Sequence, residues 1–368
     1  MLTREEAVRA GVALDATYMR RLFIEMHSLP DSLRTSIGGL CVAPFISLVI
    51  HEARAKSQYL PMGDALALSG DAEEICSRAR HSLKFFTDKK KSIDEHLATF
   101  DRIRKEHSDY FLGNTWLPLA RFLESDLGIF TYDGKVINTS HSAAFHSGIG
   151  PGQLLQENRG PYIRSTMEQF GRCLSLLGGD EESAAAPLTF ISHVSEARIR
   201  NRDVRASRHY TQGFNGPRTP QLNGMLTDFQ AILNFATSIV SAGGDPLSLE
   251  YTAFKIRYVA LYHTLASLDD LRKDSDSNLT QRSSRAIEKI LESNAATVVM
   301  DPSLRQLRNI LVHYAPNPEA LQEMDLDQPL FGLVPIFLPT HNFRSFSTIL
   351  ERCCQETSQE MNRWAKAR

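Results

Sequence analysis

Asp301-Pro302-Ser303-Leu304-Arg305-Gln306-Leu307-Arg308-Asn309-Ile310-Leu311-Val312-His313-Tyr314 is the stretch on which the reading of this chain turns. At about 100° per residue, Leu304, Leu307, Ile310, Leu311 and Tyr314 fall within an arc of about 120°. Arg308, Asn309 and His313 occupy the opposite side with Arg305 and Gln306, and Val312 is the one apolar intruder there. Such a helix can lay its apolar stripe on a bundle while a guanidinium, an amide and an imidazole face a cleft together. Asp301-Pro302 supplies a start signal, and Pro316 with Pro318 supplies the stop.

Helical periodicity extends on both sides of this segment. Leu222, Met225, Leu226, Phe229, Leu233, Ala236 and Val240 form one stripe, closed by Gly243-Gly244. Asp245-Pro246 opens a second helix carrying Tyr251, Phe254, Tyr258, Leu261, Leu265 and Leu268. A shorter helix spans about 280–293, and a last one runs over about 343–366 on Phe346, Ile349, Leu350, Cys353, Thr357 and Met361. The predicted C-terminal half, residues 216–368, is therefore an all-α bundle. Residues 1–215 read as a largely helical N-terminal region serving substrate selection or regulation. Helices are expected over 3–26, within 39–50 and twice within 71–112, with one short β-hairpin around Tyr132-Asp133-Gly134-Lys135. Residues 139–161 and 179–187 read as irregular loops, and 210–221 as the linker between the halves. The fold class expected is mainly α.

These residues, Arg308-Asn309-x3-His313 followed by Tyr314, resemble the R-x4-6-H motif of the HEPN superfamily, in which a polar residue commonly follows the arginine. The chain contains six Arg/His pairs at that spacing, and only Arg308/His313 also has Asn after Arg, an apolar triplet before His, and a late position in a bundle. The resemblance covers roughly residues 222–368. It implies a small helical bundle that cleaves RNA without a metal, acting as a homodimer with two motifs facing each other. Arg308, Asn309 and His313 would be the catalytic set. RNA supplies its own nucleophile, the 2′-OH, and an imidazole with an ordinary pKa of about 6.5 can accept that proton or protonate the leaving 5′-oxygen. Arg308 would stabilise the extra negative charge on phosphorus, and Asn309 would orient the phosphate or the imidazole. Arg305 and Tyr314 are candidates for RNA contact, the tyrosine by stacking or, given its place on the apolar arc, as part of the core. The family also suggests a bacterial toxin or antiviral-defence effector, restrained by an antitoxin or another regulatory partner. Other members have lost catalysis and serve as RNA-binding or protein-interaction modules, which is the alternative reading here.

A second basic feature precedes the linker. Arg198, Arg200, Arg202, Arg205 and Arg208 with Asp203 give a local charge of +4 over residues 198–209, a density suited to tracking RNA phosphates or to pairing within the protein. It stands out because the whole chain, with 41 basic and 43 acidic residues, carries a net charge of −2. No global field draws it to nucleic acid or to an anionic membrane. Of the 41 basic residues, 30 are Arg, the better partner for phosphate.

Other classes are disfavoured. The longest apolar run, Gly39 to Ile50, contains Pro44 and is too short to span a bilayer. Residues 1–6 lack the features of a signal peptide, and five cysteines without a C-x-x-C pair suit a reducing cytoplasm. His51-Glu52 has no second histidine for a zinc-protease helix, and Gly148-Ile149-Gly150-Pro151-Gly152 lacks the Gly-Lys-Ser/Thr of a phosphate loop. No metal and no cofactor are expected.

Overall fold

A computed structural model describes residues 2–61, 63–116, 121, 123–154, 159–178, 189–240 and 251–366. The described chain is mainly α-helical, with one small sheet. The Gly179–Pro187 loop and the Gly243-Gly244 and Asp245-Pro246 signals lie outside the described residues.

The N-terminal region opens with α1 (Arg4–His27), set by a capping box in which Glu6 N–H donates to Thr3 Oγ1 and Glu6 accepts from Thr3 N–H. The apolar run near residue 40 forms a π-helical segment, Arg34–Val42, followed by α2 (Ala43–Arg54). Pro44 sits in the first turn of α2, where its missing N–H costs nothing. The two helices expected within 71–112 are α3 (Gly70–Ser82) and α4 (Ile93–Phe111), the second again started by a capping box, Ser92 with Glu95.

The hairpin forms as expected: β1 (Leu127–Tyr132) and β2 (Lys135–Thr139) are antiparallel, with a register shift between Phe130 and Thr131. Asp133 and Gly134 have φ of 49° and 74°, the pair of positive values that a tight two-residue hairpin turn requires. A third strand, β3 (Ile199–Val204), pairs antiparallel on the other side of β1, from Leu127↔Val204 to Tyr132↔Ile199.

Two expectations need correction. Within 139–161, Ser140–Ser147 is a helix, α5, started by Ser142 N–H donating to Thr139 Oγ1 and closed by Gly148 at φ 77°. Its two histidines are inside: His141 Nε2 lies 3.0 Å from Asp126 O, and His146 Nδ1 lies 2.6 Å from Ser82 Oγ. Buried polar residues with fixed partners broke the apolar periodicity. The stretch 210–219 is a packed turn, and Pro220 and Gln221 already begin the next helix: Tyr210, Phe214 and Asn215 are buried, and Asn223 Nδ2 donates to Tyr210 O and Gly216 O.

The chain continues through α6 (Arg159–Gly178), α7 (Pro220–Phe235), α8 (Tyr251–Lys273), α9 (Gln281–Leu291), α10 (Asn294–Val299), α11 (Leu304–His313) and α12 (Phe343–Lys366). Asp301 caps a turn before α11, accepting from Ser303 N–H. One buried apolar cluster includes side chains from Ala7 to Trp364, so residues of both halves share a core. All five cysteines are buried free thiols, and burial pushes Cys41, Cys76, Cys353 and Cys354 up to about 12. Among the described residues, no helix is long and apolar enough to cross a membrane.

Candidate active site at the end of α11

The apolar stripe of α11 is buried as the wheel requires: Leu304, Leu307 and Leu311 are fully inside and Ile310 nearly so. Val312 is buried too, although it lies on the polar side of the wheel. Arg305 and Gln306 are exposed, and Arg308, Asn309 and His313 are half-buried. The helix ends at His313 because Tyr314 turns into the left-handed region, at φ 48°.

His313 meets two side chains from the N-terminal region. Its Nδ1 lies 2.9 Å from Glu52 Oε2, at the end of α2. Glu52 also accepts from Arg80 Nε at 2.6 Å, near the end of α3, and both of those side chains are buried. Burial would raise the Glu52 carboxyl, but the hydrogen bond and charge of His313 and the charge of Arg80 override it and hold the group at about 2. An ionised carboxylate only accepts, which assigns a proton on His313 to Nδ1 and leaves Nε2 as the ring nitrogen that Glu52 does not engage. Nε2 has no hydrogen-bond partner among the described residues, and the side chain keeps 29% of its surface open.

Arg308 is set differently. Its guanidinium lies over the Tyr262 ring, 5.3 Å from the centroid, and Nη2 donates to Asn309 Oδ1 at 2.8 Å. Arg308 Nε is buried without a hydrogen-bond partner among the described residues. Asn309 therefore orients the arginine and makes no bond to the imidazole. His263, next to Tyr262 on α8, is buried with Nδ1 3.0 Å from Thr87 Oγ1. Burial first, then the charges of Arg308, Lys84, Arg80 and His313, drive its pKa well below the ordinary value, so it stays neutral. His81, 3.4 Å from Arg80 Nη1 through Nδ1, is likewise lowered to about 4 by burial and by Arg80.

Tyr314 does not reach this face. Its ring is 2% exposed, and its hydroxyl donates to Asp15 Oδ2 at 2.6 Å. Lys255 Nζ is 2.5 Å from the same oxygen and Thr252 Oγ1 donates to Asp15 Oδ1, all within the interior. Of the two places open to this tyrosine, the interior one is found and stacking on a base is ruled out: the phenol is needed inside to satisfy the buried Asp15 side chain.

The arginine run divides. Arg198 pairs with Asp133 and covers the Tyr132 ring, Arg200 Nη1 donates to Ala197 O and Ile199 O, and Arg205 Nε donates to Glu124 O. Arg202 and Arg208 are exposed and make no side-chain hydrogen bond or ion pair among the described residues. The run shares no hydrogen bond or ion pair with α11. Arg305 stands on α11 itself, exposed and without a side-chain partner among the described residues.

Sequence reading missed Glu52 and Arg80. A lone carboxylate at the end of the apolar segment Phe45–Ile50 was the available signal, since buried carboxylates are rarely left unpaired. Among the described residues, no three His, Cys, Asp or Glu side chains converge as metal ligands. Comparison with protein-family profiles, curated proteins and solved structures returns no match.

Proposed function

We propose that this protein is an endoribonuclease of the HEPN type that cleaves RNA through attack by its own 2′-OH. One observation carries the reading: His313 is oriented through Nδ1 by an ionised, buried Glu52, and its Nε2 has no hydrogen-bond partner among the described residues. Nε2 takes the proton from the 2′-OH as that oxygen bonds to phosphorus, and Glu52 stabilises the imidazolium that results. Arg308 offsets the charge that develops on the phosphoryl oxygens. The bond to the 5′-oxygen breaks, and that oxygen leaves with a proton returned by an imidazolium. In a homodimer with two facing motifs, one imidazole accepts and the other donates. The products are a 2′,3′-cyclic phosphate and a 5′-hydroxyl, and no step requires a metal. The substrate on this reading is cytoplasmic RNA.

The test is incubation of end-labelled single-stranded RNA with the purified chain in EDTA, with the product ends mapped. His313→Ala is expected to lower cleavage by about 10²–10⁴-fold, and Arg308→Ala by about 10²–10³-fold. A 2′-deoxy substitution at the cut position is expected to block the reaction. RNA binding without cleavage by the wild-type chain would instead identify a non-catalytic binding module. Cleavage indifferent to His313→Ala would remove the imidazole from the chemistry.

A further inference from the structure

A cleft of about 680 Å³ opens between α1, the π-helical segment Arg34–Val42, α2, α3, α5 and α6. Glu52, Arg80, Arg308 and His313 take no part in its lining. Its walls are apolar. Phe23, Ile75, Ile149 and Met167 are half-buried and Ile163 is 38% exposed, so hydrocarbon that a closed core would cover stays open here. Pro44, Ala79, Ala144 and Phe170 are buried and line the deep part. Helices normally pack without such spaces, and the volume falls within the range of roughly 300–1,000 Å³ that small-molecule sites occupy.

The polar groups along the cleft are sorted by depth. His146, at the buried end, is engaged by the protein on both ring nitrogens, with Nδ1 2.6 Å from Ser82 Oγ and Nε2 3.3 Å from Asp228 Oδ1. Buried Ser47 and Thr166 add a hydroxyl each, and neither is a charged group. The free charges stand at the exposed rim, where Arg34, Arg164, Glu168 and His27 lie. Arg34 is anchored: its Nη2 donates to His27 O at 3.0 Å and to Leu29 O at 2.9 Å, and Asp31 Oδ1 lies 3.3 Å from its Nη1. Arg164 makes no side-chain hydrogen bond or ion pair among the described residues, although Glu168 follows one turn later on α6. A cleft that is hydrocarbon inside and carries an unpaired guanidinium at its mouth is complementary to a molecule that is alkyl at one end and anionic at the other. The guanidinium fork also matches the two oxygens of a carboxylate.

We propose that this cleft binds a long-chain fatty acid, with the alkyl chain along Phe23, Met167 and Phe170 and the carboxylate at the rim on Arg164. The cleft shares no lining residue with the His313 cluster, so binding there does not depend on ribonuclease activity.

The experiment titrates the purified chain with cis-parinaric acid, whose fluorescence rises in an apolar site, and displaces it with palmitate or with hexadecanol, which has the same chain without the charge. Wild-type protein is expected to bind the probe and to prefer palmitate. Arg164→Ala is expected to weaken palmitate by about tenfold and to leave hexadecanol unchanged, and Arg164→Lys to recover part of that loss. Ala43→Phe combined with Ala143→Phe places two rings in the cleft, and is expected to abolish the fluorescence rise while thermal unfolding still shows a folded chain. A diazirine-bearing fatty acid photolysed on the wild-type chain needs no variant, and is expected to label residues within 23–47, 75–79 or 143–170. Absence of a fluorescence rise with wild-type protein, labelling confined to other segments, or equal losses of palmitate and hexadecanol in folded Arg164→Ala overturns the proposal. Cosedimentation with phosphatidylglycerol vesicles without capture of free fatty acid also overturns it, and would make this face a membrane contact instead.

Discussion

His313 and Tyr314 are consecutive residues with opposite surroundings. The Tyr314 hydroxyl closes a buried group in which Asp15, Lys255 and Thr252 satisfy one another, with Asp15 and Lys255 almost wholly removed from solvent. The His313 imidazole belongs to a second group, Glu52 and Arg80, that is sealed on one side and open on the other. Both groups tie the end of α11 to the N-terminal region, and both are built around a buried acidic side chain. They differ in what is left over. The first has its polar atoms matched inside the protein, and the second leaves the His313 Nε2 without a partner among the described residues. A polar cluster that is complete holds the fold together, and one that is incomplete toward solvent is where a substrate can be engaged.

The comparison can be broken most easily at Asp15. Asp15→Ala leaves the Lys255 ammonium buried without its partner, which is expected to cost about 3–5 kcal/mol in chemical denaturation. A loss under about 1 kcal/mol would mean that the group is not the closed structural unit described.

Glu52→Gln sharpens the other half. The Glu52 carboxyl is held at about 2 in the fold against an ordinary value of 4.5. Its contribution is therefore present above 4.5 and lost as pH falls from 4.5 to 2, amounting to about 3 kcal/mol. The variant is expected to be less stable than wild type by roughly that amount at pH 7. The gap should close as the two unfolding curves are followed down to pH 2. Parallel curves across that window would show that Glu52 is not ionised by its partners.

The smallest effect is expected at the sheet. Arg198 and Asp133 are paired but substantially exposed, so Arg198→Ala should change stability by less than about 1 kcal/mol. A larger loss in thermal unfolding would show that the hairpin depends on this contact rather than on its turn and the strand pairing.

What could be read from the sequence follows the range of the interactions. The polar set on α11 was legible because residues three and four apart share a face, and Arg308, Asn309 and His313 lie off the buried apolar stripe as the wheel requires. The hairpin was legible because Asp133-Gly134 is a local signal. β3 was not, since Ile199-Arg200-Asn201-Arg202-Asp203-Val204 has no apolar alternation and becomes a strand only by pairing with β1. Helix α5 was hidden by its buried histidines. Val312 shows the limit of a wheel, which knows one helix and not what lies against its far side. Glu52 and Arg80, 261 and 233 positions from His313, could not be assigned to it by any local pattern.

Those separations carry a further consequence. Asp15 and Tyr314 are 299 residues apart, and Glu52 and His313 are 261 apart. Contacts of such range form after local helices and turns, because a long loop must close first. On a nascent polypeptide leaving the ribosome, Glu52 and Arg80 emerge hundreds of residues before the imidazole they hold. The carboxylate and the imidazole it meets are thus kept apart through most of translation, and the Glu52–Arg80–His313 cluster comes together only once all three have been made.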